Sequence, residues 1–142
     1  MPERVAKWSE WGKLNYNESY RRQLEMISLI QEGEIEDRFV TVEHPHVITV
    51  GRRKGSEANI LVKDNVEVVH VERGGDVTYH GPGQLIVYPL VKLEENERDL
   101  HLFLRHLEEA MIKAVLALEL WPLEMRVKLA FGLRVENWHP LE

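Results

Sequence analysis

The chain contains no cysteine, and that absence removes several classes of chemistry at once. Without thiols there is no disulfide framework, no thiolate metal site and no thiol nucleophile. Positive charge is scarce as well: 18 Lys and Arg stand against 24 Asp and Glu, a formal net charge of −6 over 142 residues. That balance argues against a nucleic-acid partner, because phosphate contacts need a basic face. No apolar run approaches the roughly 18 residues of a membrane span. The N-terminal MPERVAKWSEWGK lacks the apolar core of a signal peptide. The expectation is a cytoplasmic protein with neither membrane nor nucleic acid as partner. Repeats, low-complexity segments and linkers are missing too, which fits one domain over residues 1–142. What is present is ordinary core material: 44% of the residues are hydrophobic and 30% charged.

The apolar spacing alternates between helix and strand periods. Asn15, with Glu18 three residues on, predicts a helix N-terminus with a capping box. Tyr20, Leu24, Ile27 and Ile30 continue at helical spacing until Gly33 ends the pattern. Trp8 and Trp11, just before this helix, are expected to pack on it. Residues 38–43 and 47–51 read as two strands joined at His44-Pro45. Strands are also predicted over 66–72 and from Gln84 to Val91. Asp99 is the expected N-cap of a second helix, whose stripe is Leu100, Phe103, Leu104, Leu107, Met111, Ala114, Val115 and Leu118, closed by Pro122. The remaining MRVKLAFGLRVENWHPLE suggests a further strand or hairpin. The fold class that follows is α+β, with helices packed on a mixed, largely antiparallel sheet.

The stretch RGGDVTYHGPGQLIVYP, Arg73 to Pro89, concentrates the chemistry. Four of the nine glycines, Gly74, Gly75, Gly81 and Gly83, lie within ten residues and bracket Thr78, Tyr79 and His80. Gly-Gly after an arginine frees the backbone to turn its amide N–H groups toward a ligand carbonyl. Pro82 fixes one φ between two glycines, so the loop is shaped rather than floppy. His80 can exchange a proton near neutral pH, and Arg73 can anchor a carboxylate or a neighbouring backbone. A glycine-rich turn with a structural histidine is the competing reading of HGPG taken by itself. Neither a Walker loop nor a Rossmann fingerprint is present, since no Gly-Lys-Ser/Thr follows and a strand succeeds the glycines.

This stretch closely resembles the signature of the lipoyl(octanoyl) transferases. LNYNESYRRQLEMI at 14–27 is similar to the family's first helix, with its Tyr and Gln positions at Tyr16 and Gln23. TVEHPHVITVGRRKGSEANIL at 41–61 and DLHLFLRHLEEAM at 99–111 match further segments, so the resemblance covers roughly residues 11–118. It implies the biotin/lipoate protein ligase fold. It also implies transfer of an octanoyl or lipoyl group from acyl carrier protein to a lysine of a lipoyl domain, in 2-oxoacid dehydrogenases or the glycine cleavage H protein. The reaction is nucleophilic acyl transfer through an acyl-cysteine, with no cofactor and no metal. Carried over by position, the acyl pocket falls on Arg73, Gly74, Gly75, Asp76, Val77, Thr78, Tyr79 and His80, with His80 beside the thioester carbonyl.

The sequence departs from that pattern at the nucleophile. The family's cysteine lies in a Pro-Cys-Gly segment, and this chain has no cysteine. VKLAFG at 127–132 is similar to the strand that carries the family's catalytic lysine, which makes Lys128 its counterpart, although the glycine follows four residues later rather than five. The domain is therefore expected to be incomplete at its C-terminus. Truncation, a split protein and a degenerate acyl- or carrier-binding homologue all stay open. An ATP-using ligase relative is a weaker alternative, for want of a separate basic phosphate cradle. His44 and His46, flanking Pro45, lack a third ligand at a suitable spacing for a metal. Arg52, Arg53 and Lys54 form a basic cluster that can greet an acidic carrier protein or lie uncommitted in a loop. His101 and His106 are expected on a solvated helix face. Trp121 and Trp138 are expected as exposed interface residues.

Overall fold

A computed structural model describes residues 5–61 and 65–117. Lys128, Trp121, Trp138, Leu118, Pro122 and the strand predicted over 127–132 lie outside the described residues. Two compact units are distinguished, the described residues up to Lys92 and those from Leu93 on. Each is taken by itself.

In the first unit the chain begins with a strand that the sequence pattern did not announce. β1 (Ala6–Lys13) pairs in parallel with β2 (Asp37–Glu43), and α1 (Tyr16–Glu32) connects them, a βαβ unit. The composition AKWSEWGK is too charged to read as a strand because it lies at a sheet edge, with only Ser9 and Trp11 even half-buried. Trp11 packs, as expected, against the core that α1 helps to form, and the Arg22 guanidinium of α1 lies 5.9 Å from its ring centroid. Trp8 is 60% exposed and stacks on Phe39 instead of on the helix. α1 begins as expected, with the Asn15 side chain accepting the Glu18 N–H at 2.8 Å. The Glu18 carboxylate turns outward to Arg21 and Arg22. Gly33 ends the helix at φ 78°, a left-handed conformation that favours glycine, and its N–H donates to the Ile30 carbonyl.

β6 (Ile86–Leu90) pairs antiparallel with β2 and completes a sheet of order β1-β2-β6. Pro89 sits within β6, which among the described residues is an edge strand, where proline is tolerated. Ile30 of α1, Val40 of β2 and Leu90 of β6 form the buried core here, flanked by Trp11, Met26, Ile27, Ile35 and Tyr88. A second sheet of order β4-β3-β5 consists of β4 (Glu67–His70), β3 (Val47–Val50) and β5 (Val77–His80). All four β3 residues are buried, which explains its unbroken VITV run. Each sheet contains one parallel and one antiparallel pairing. The α+β class and the mixed pairing are those expected, but the strands divide into two sheets with as many parallel as antiparallel pairings. Strands β2 and β3, adjacent in sequence, therefore do not form a hairpin: at His44-Pro45 the chain leaves one sheet for the other.

The second unit, as described, holds a short 3-10 turn at Glu95–Glu97 and α2 (Leu100–Ala117). Asp99 caps α2 as expected, its carboxylate accepting the Leu102 N–H at 2.9 Å. Leu100, Phe103, Leu104, Leu107 and Met111 are half-buried, whereas Ala114, His101 and His106 are exposed. Among the described residues no helix is long and apolar enough to cross a membrane.

Candidate functional site

The stretch read as one glycine-rich loop is interrupted by a strand. β5 runs antiparallel to β3, with Val77 opposite Val50 and His80 opposite Val47. Gly74 and Gly75 therefore lie beyond one end of β5 and Gly81 and Gly83 beyond the other, separated by a strand that itself spans about 10 Å from Val77 to His80. The glycines bracket His80 in sequence but not in space.

At the first end the Arg73 guanidinium ties the turn together. Nη1 donates to the carbonyls of Gly74 and Asp76, both at 3.0 Å. Nη2 donates to the Thr49 carbonyl at 3.2 Å, Thr49 Oγ1 at 2.9 Å and Thr78 Oγ1 at 2.8 Å. Of the two roles open to Arg73, the structure shows the backbone anchor. Gly75 takes φ 86°, and a Cβ added at Gly51 would lie 2.5 Å from the Gly75 carbonyl oxygen, so the two segments approach backbone to backbone. Asp76 faces away from this arginine, accepting from Asn59 at 2.7 Å and from the Val77 N–H at 2.9 Å, and the Asn59 bond foremost holds its carboxyl below the usual range. Of the basic cluster, Arg52 pairs with Glu72 and Arg53 with Asp76. A cleft of about 270 Å³ opens beside this end, lined by Gly51, Arg53, Ser56, Glu57 and His70 among others. It is remote along β3 from His80.

The second end is the chemically richer one. Alternation along β5 puts Thr78 and His80 on one face and Val77 and Tyr79 on the other. Tyr79 is 51% exposed and its hydroxyl meets His46 Nδ1 at the surface, away from the His80 face. His80 is half-buried in a ring of aromatic groups drawn from three other segments. Tyr16, the first residue of α1, stacks on it at 6.2 Å between centroids, and His44, just past β2, meets it edge-on at 5.9 Å. Tyr16 and His44 touch each other at 5.4 Å. Tyr88 of β6 closes the group at 6.1 Å from His44.

Hydrogen bonds fix the state of each ring. His80 Nδ1 lies 2.9 Å from Gln84 Oε1, which can only accept, so Nδ1 carries the proton and Nε2 keeps its lone pair. His44 is 1% exposed. Its Nδ1 donates to the Leu14 carbonyl at 2.6 Å and its Nε2 accepts from the Tyr88 hydroxyl at 3.0 Å. Burial foremost pushes both histidines below the usual imidazole range, and for His80 the nearby His44 and Arg73 act in the same direction. Burial pushes the Tyr16 and Tyr88 hydroxyls up, which keeps both protonated. His44 and His46 point to different sides of the chain and cannot share a metal ion. Among the described residues no group of three or more His, Asp or Glu side chains is placed to hold one.

A neutral imidazole with an uncommitted Nε2, backed by buried aromatic rings and flanked by a glycine-rich turn, can accept a proton from an attacking nucleophile. Comparison with known proteins gives this arrangement its relatives. The family model for the lipoyl protein ligase A/B catalytic domain matches residues 15–137. The chain belongs to that family. Among curated relatives, the octanoyltransferase of Alkaliphilus metalliredigens is 41% identical over 108 residues, covering 72% of this chain and 49% of the relative. That of Bacteroides thetaiotaomicron is 41% identical over 115 residues, covering 73% and 50%. That of Caldicellulosiruptor bescii is 46% identical over 108 residues, covering 72% and 47%. The chain spans about half the length of the curated relatives it matches. Among solved structures, P. falciparum LipL1 in complex with lipoate aligns at a TM-score of 0.39 and 17% identity, over 57% of this chain and 29% of that one.

Of the residues marked for the site in this ligase-family chain, Thr78 and His80 share a face and Arg73 reaches Thr78. Gly74, Gly75 and Asp76 form the turn at the far end, and Tyr79 faces away. The pattern gave Tyr16 and Gln23 only as positions of family likeness; Tyr16 stacks on His80, whereas Gln23 donates to Ser19 Oγ at 3.2 Å within α1. His44 and Tyr88 were missed as members. The one available signal was a tyrosine at an inward position of the alternating Ile86, Tyr88, Leu90 set, where a buried hydroxyl requires a partner.

Proposed function

We propose that this chain serves octanoyl transfer from acyl carrier protein to a lysine amine of lipoyl domains, within lipoate biosynthesis, and that β5 with its flanking turns is the acyl-recognition element. The observation that carries the reading is His80: half-buried, neutral, its Nδ1 committed to Gln84 and its Nε2 open. The curated octanoyltransferases at 41–46% identity support the substrate class. The acyl chain would lie along β5, with Gly74 and Gly75 at its tail end and its carbonyl at His80. Arg73 and Thr78 hold the strand, Asp76 and Val77 shape the turn, and Tyr79 borders the entrance. Lys128, outside the described residues, is the proposed electrostatic partner.

Among the residues of this chain, which include no thiol, the step we propose is direct aminolysis. The lysine amine attacks the thioester carbonyl, the C–N bond forms, the carrier's thiolate leaves, and His80 Nε2 takes the ammonium proton. Intact-mass measurement of an apo lipoyl domain incubated with octanoyl-carrier protein and this chain should show one added octanoyl group. Transfer should drop by at least about tenfold in His80→Ala. If no mass is added and octanoyl-carrier protein does not bind, the reading is wrong. Binding without transfer would replace it with that of a non-catalytic acyl- or carrier-binding homologue. The cytoplasm is the proposed location, where carrier protein and lipoyl domains meet.

A further inference from the structure

His44 and His80 form a pair of half-buried to buried imidazoles whose rings lie 5.9 Å apart. Two positive charges at that distance in a poorly solvated site repel strongly, so near neutral pH the pair holds at most one added proton. Which ring receives it decides whether the pair can act on a substrate. The hydrogen bonds distinguish the two rings. His44 has both nitrogens occupied, Nδ1 by the Leu14 carbonyl and Nε2 by the Tyr88 hydroxyl. His80 has only Nδ1 occupied, by Gln84, and among the described residues its Nε2 has no hydrogen-bond partner.

We infer that Tyr88 is a positioning residue that closes His44 to protons, so that a proton entering the histidine pair is directed to Nε2 of His80. Tyr88 donates its O–H to the one lone pair on His44 that could bind a proton, and a hydrogen bond to the neutral form disfavours the charged one. The chain Tyr88, His44, Leu14 carbonyl thus runs from β6 to the backbone just before α1. The titratable and charged groups facing the pair are few. Tyr16, Tyr88 and His80 face His44; Tyr16, His44 and the fixed charge of Arg73 face His80. Both tyrosines are kept protonated by burial, so neither competes for the proton near neutral pH. The catalytic meaning of this arrangement rests on the transfer reading above, whereas the proton placement does not.

The test is histidine ring NMR on the isotope-labelled chain between about pH 5 and 8, without substrate. In the unaltered chain His80 should protonate at a higher pH than His44, and His44 should keep its proton on Nδ1. In Tyr88→Phe the His44 midpoint should rise by about half a pH unit or more, and the His80 midpoint should fall as its neighbour gains charge. The inference is overturned if His44 protonates first in the unaltered chain. It is overturned equally if folded Tyr88→Phe leaves both midpoints in place, and if that variant does not fold, the order of protonation in the unaltered chain decides alone. Loss of octanoyl transfer with these midpoints as described would sink the transfer reading and leave the proton placement standing.

Discussion

Two histidine–tyrosine pairs, whose histidines are two apart in sequence, show what burial does to identical chemistry. His44 meets Tyr88 in the interior, and His46 meets Tyr79 at the surface. His44 is 1% exposed, and both of its nitrogens are satisfied by protein, because water cannot reach them. His46 is exposed, and water can replace whatever Tyr79 provides. The backbone explains the difference. Leaving β2 at Glu43, the chain turns His44 inward, and the turn at Pro45 swings His46 outward before β3 begins. The inner pair therefore belongs to the site and the outer pair borders it.

The variant that separates the two pairs most strongly is His44→Ala. It leaves the Leu14 carbonyl and the Tyr88 hydroxyl buried without partners and should destabilise the chain by about 3 kcal/mol, while His46→Ala should cost less than about 0.5 kcal/mol. Urea denaturation of the two variants measures both, and equal losses would show that burial is not what separates the pairs. Next comes the partner side: Tyr88→Phe should cost about 1–2 kcal/mol and Tyr79→Phe less than about 0.5 kcal/mol, read from the same unfolding midpoints. A smaller effect tests the wall that holds the inner pair. Asn15→Ala removes the cap next to Leu14 and Tyr16 and should cost about 1 kcal/mol. It should also raise amide exchange in the first turn of α1, and unchanged exchange there would detach the cap from the site.

The mildest effect lies in pH. Burial lowers the affinity of folded His44 and His80 for protons, whereas the unfolded chain binds them with a midpoint near about 6.5. Below that pH the unfolded state takes up protons that the folded state refuses, so stability falls as pH drops from about 6.5 toward 5. Replacing His44 with Asn should flatten this decline relative to the unaltered chain. Urea midpoints across that range measure the slope, and an unchanged slope in the His44 variant would contradict a buried neutral imidazole.

Much of the fold was legible in the amino-acid sequence. The cap at Asn15, the stop at Gly33, the cap at Asp99 and the buried run VITV are local matters, settled by hydrogen-bonding chemistry and periodicity within a few residues. β1 was not legible, because an edge strand needs few apolar residues and AKWSEWGK has its polar side chains in solvent. The interruption of the glycine-rich stretch by β5 escaped notice for a related reason: VTYH is too short to outvote the glycines on either side. Pairing with β3 makes it a strand, and that pairing spans some thirty positions of sequence.

The order of amino acids sets which groups are available for chemistry: a histidine between glycines, an arginine able to anchor a turn, and no thiol anywhere. It also sets the caps and most of the elements, since those depend on neighbours along the chain. Folding in three dimensions was needed to put His44 and Tyr88 behind His80, to turn Tyr79 away, and to commit Arg73 to backbone and threonine oxygens. Those outcomes depend on which strands pair and which sheet each joins. A side chain acquires its role from burial and from the direction in which the pleat points it, and both are settled by contacts between segments remote in sequence.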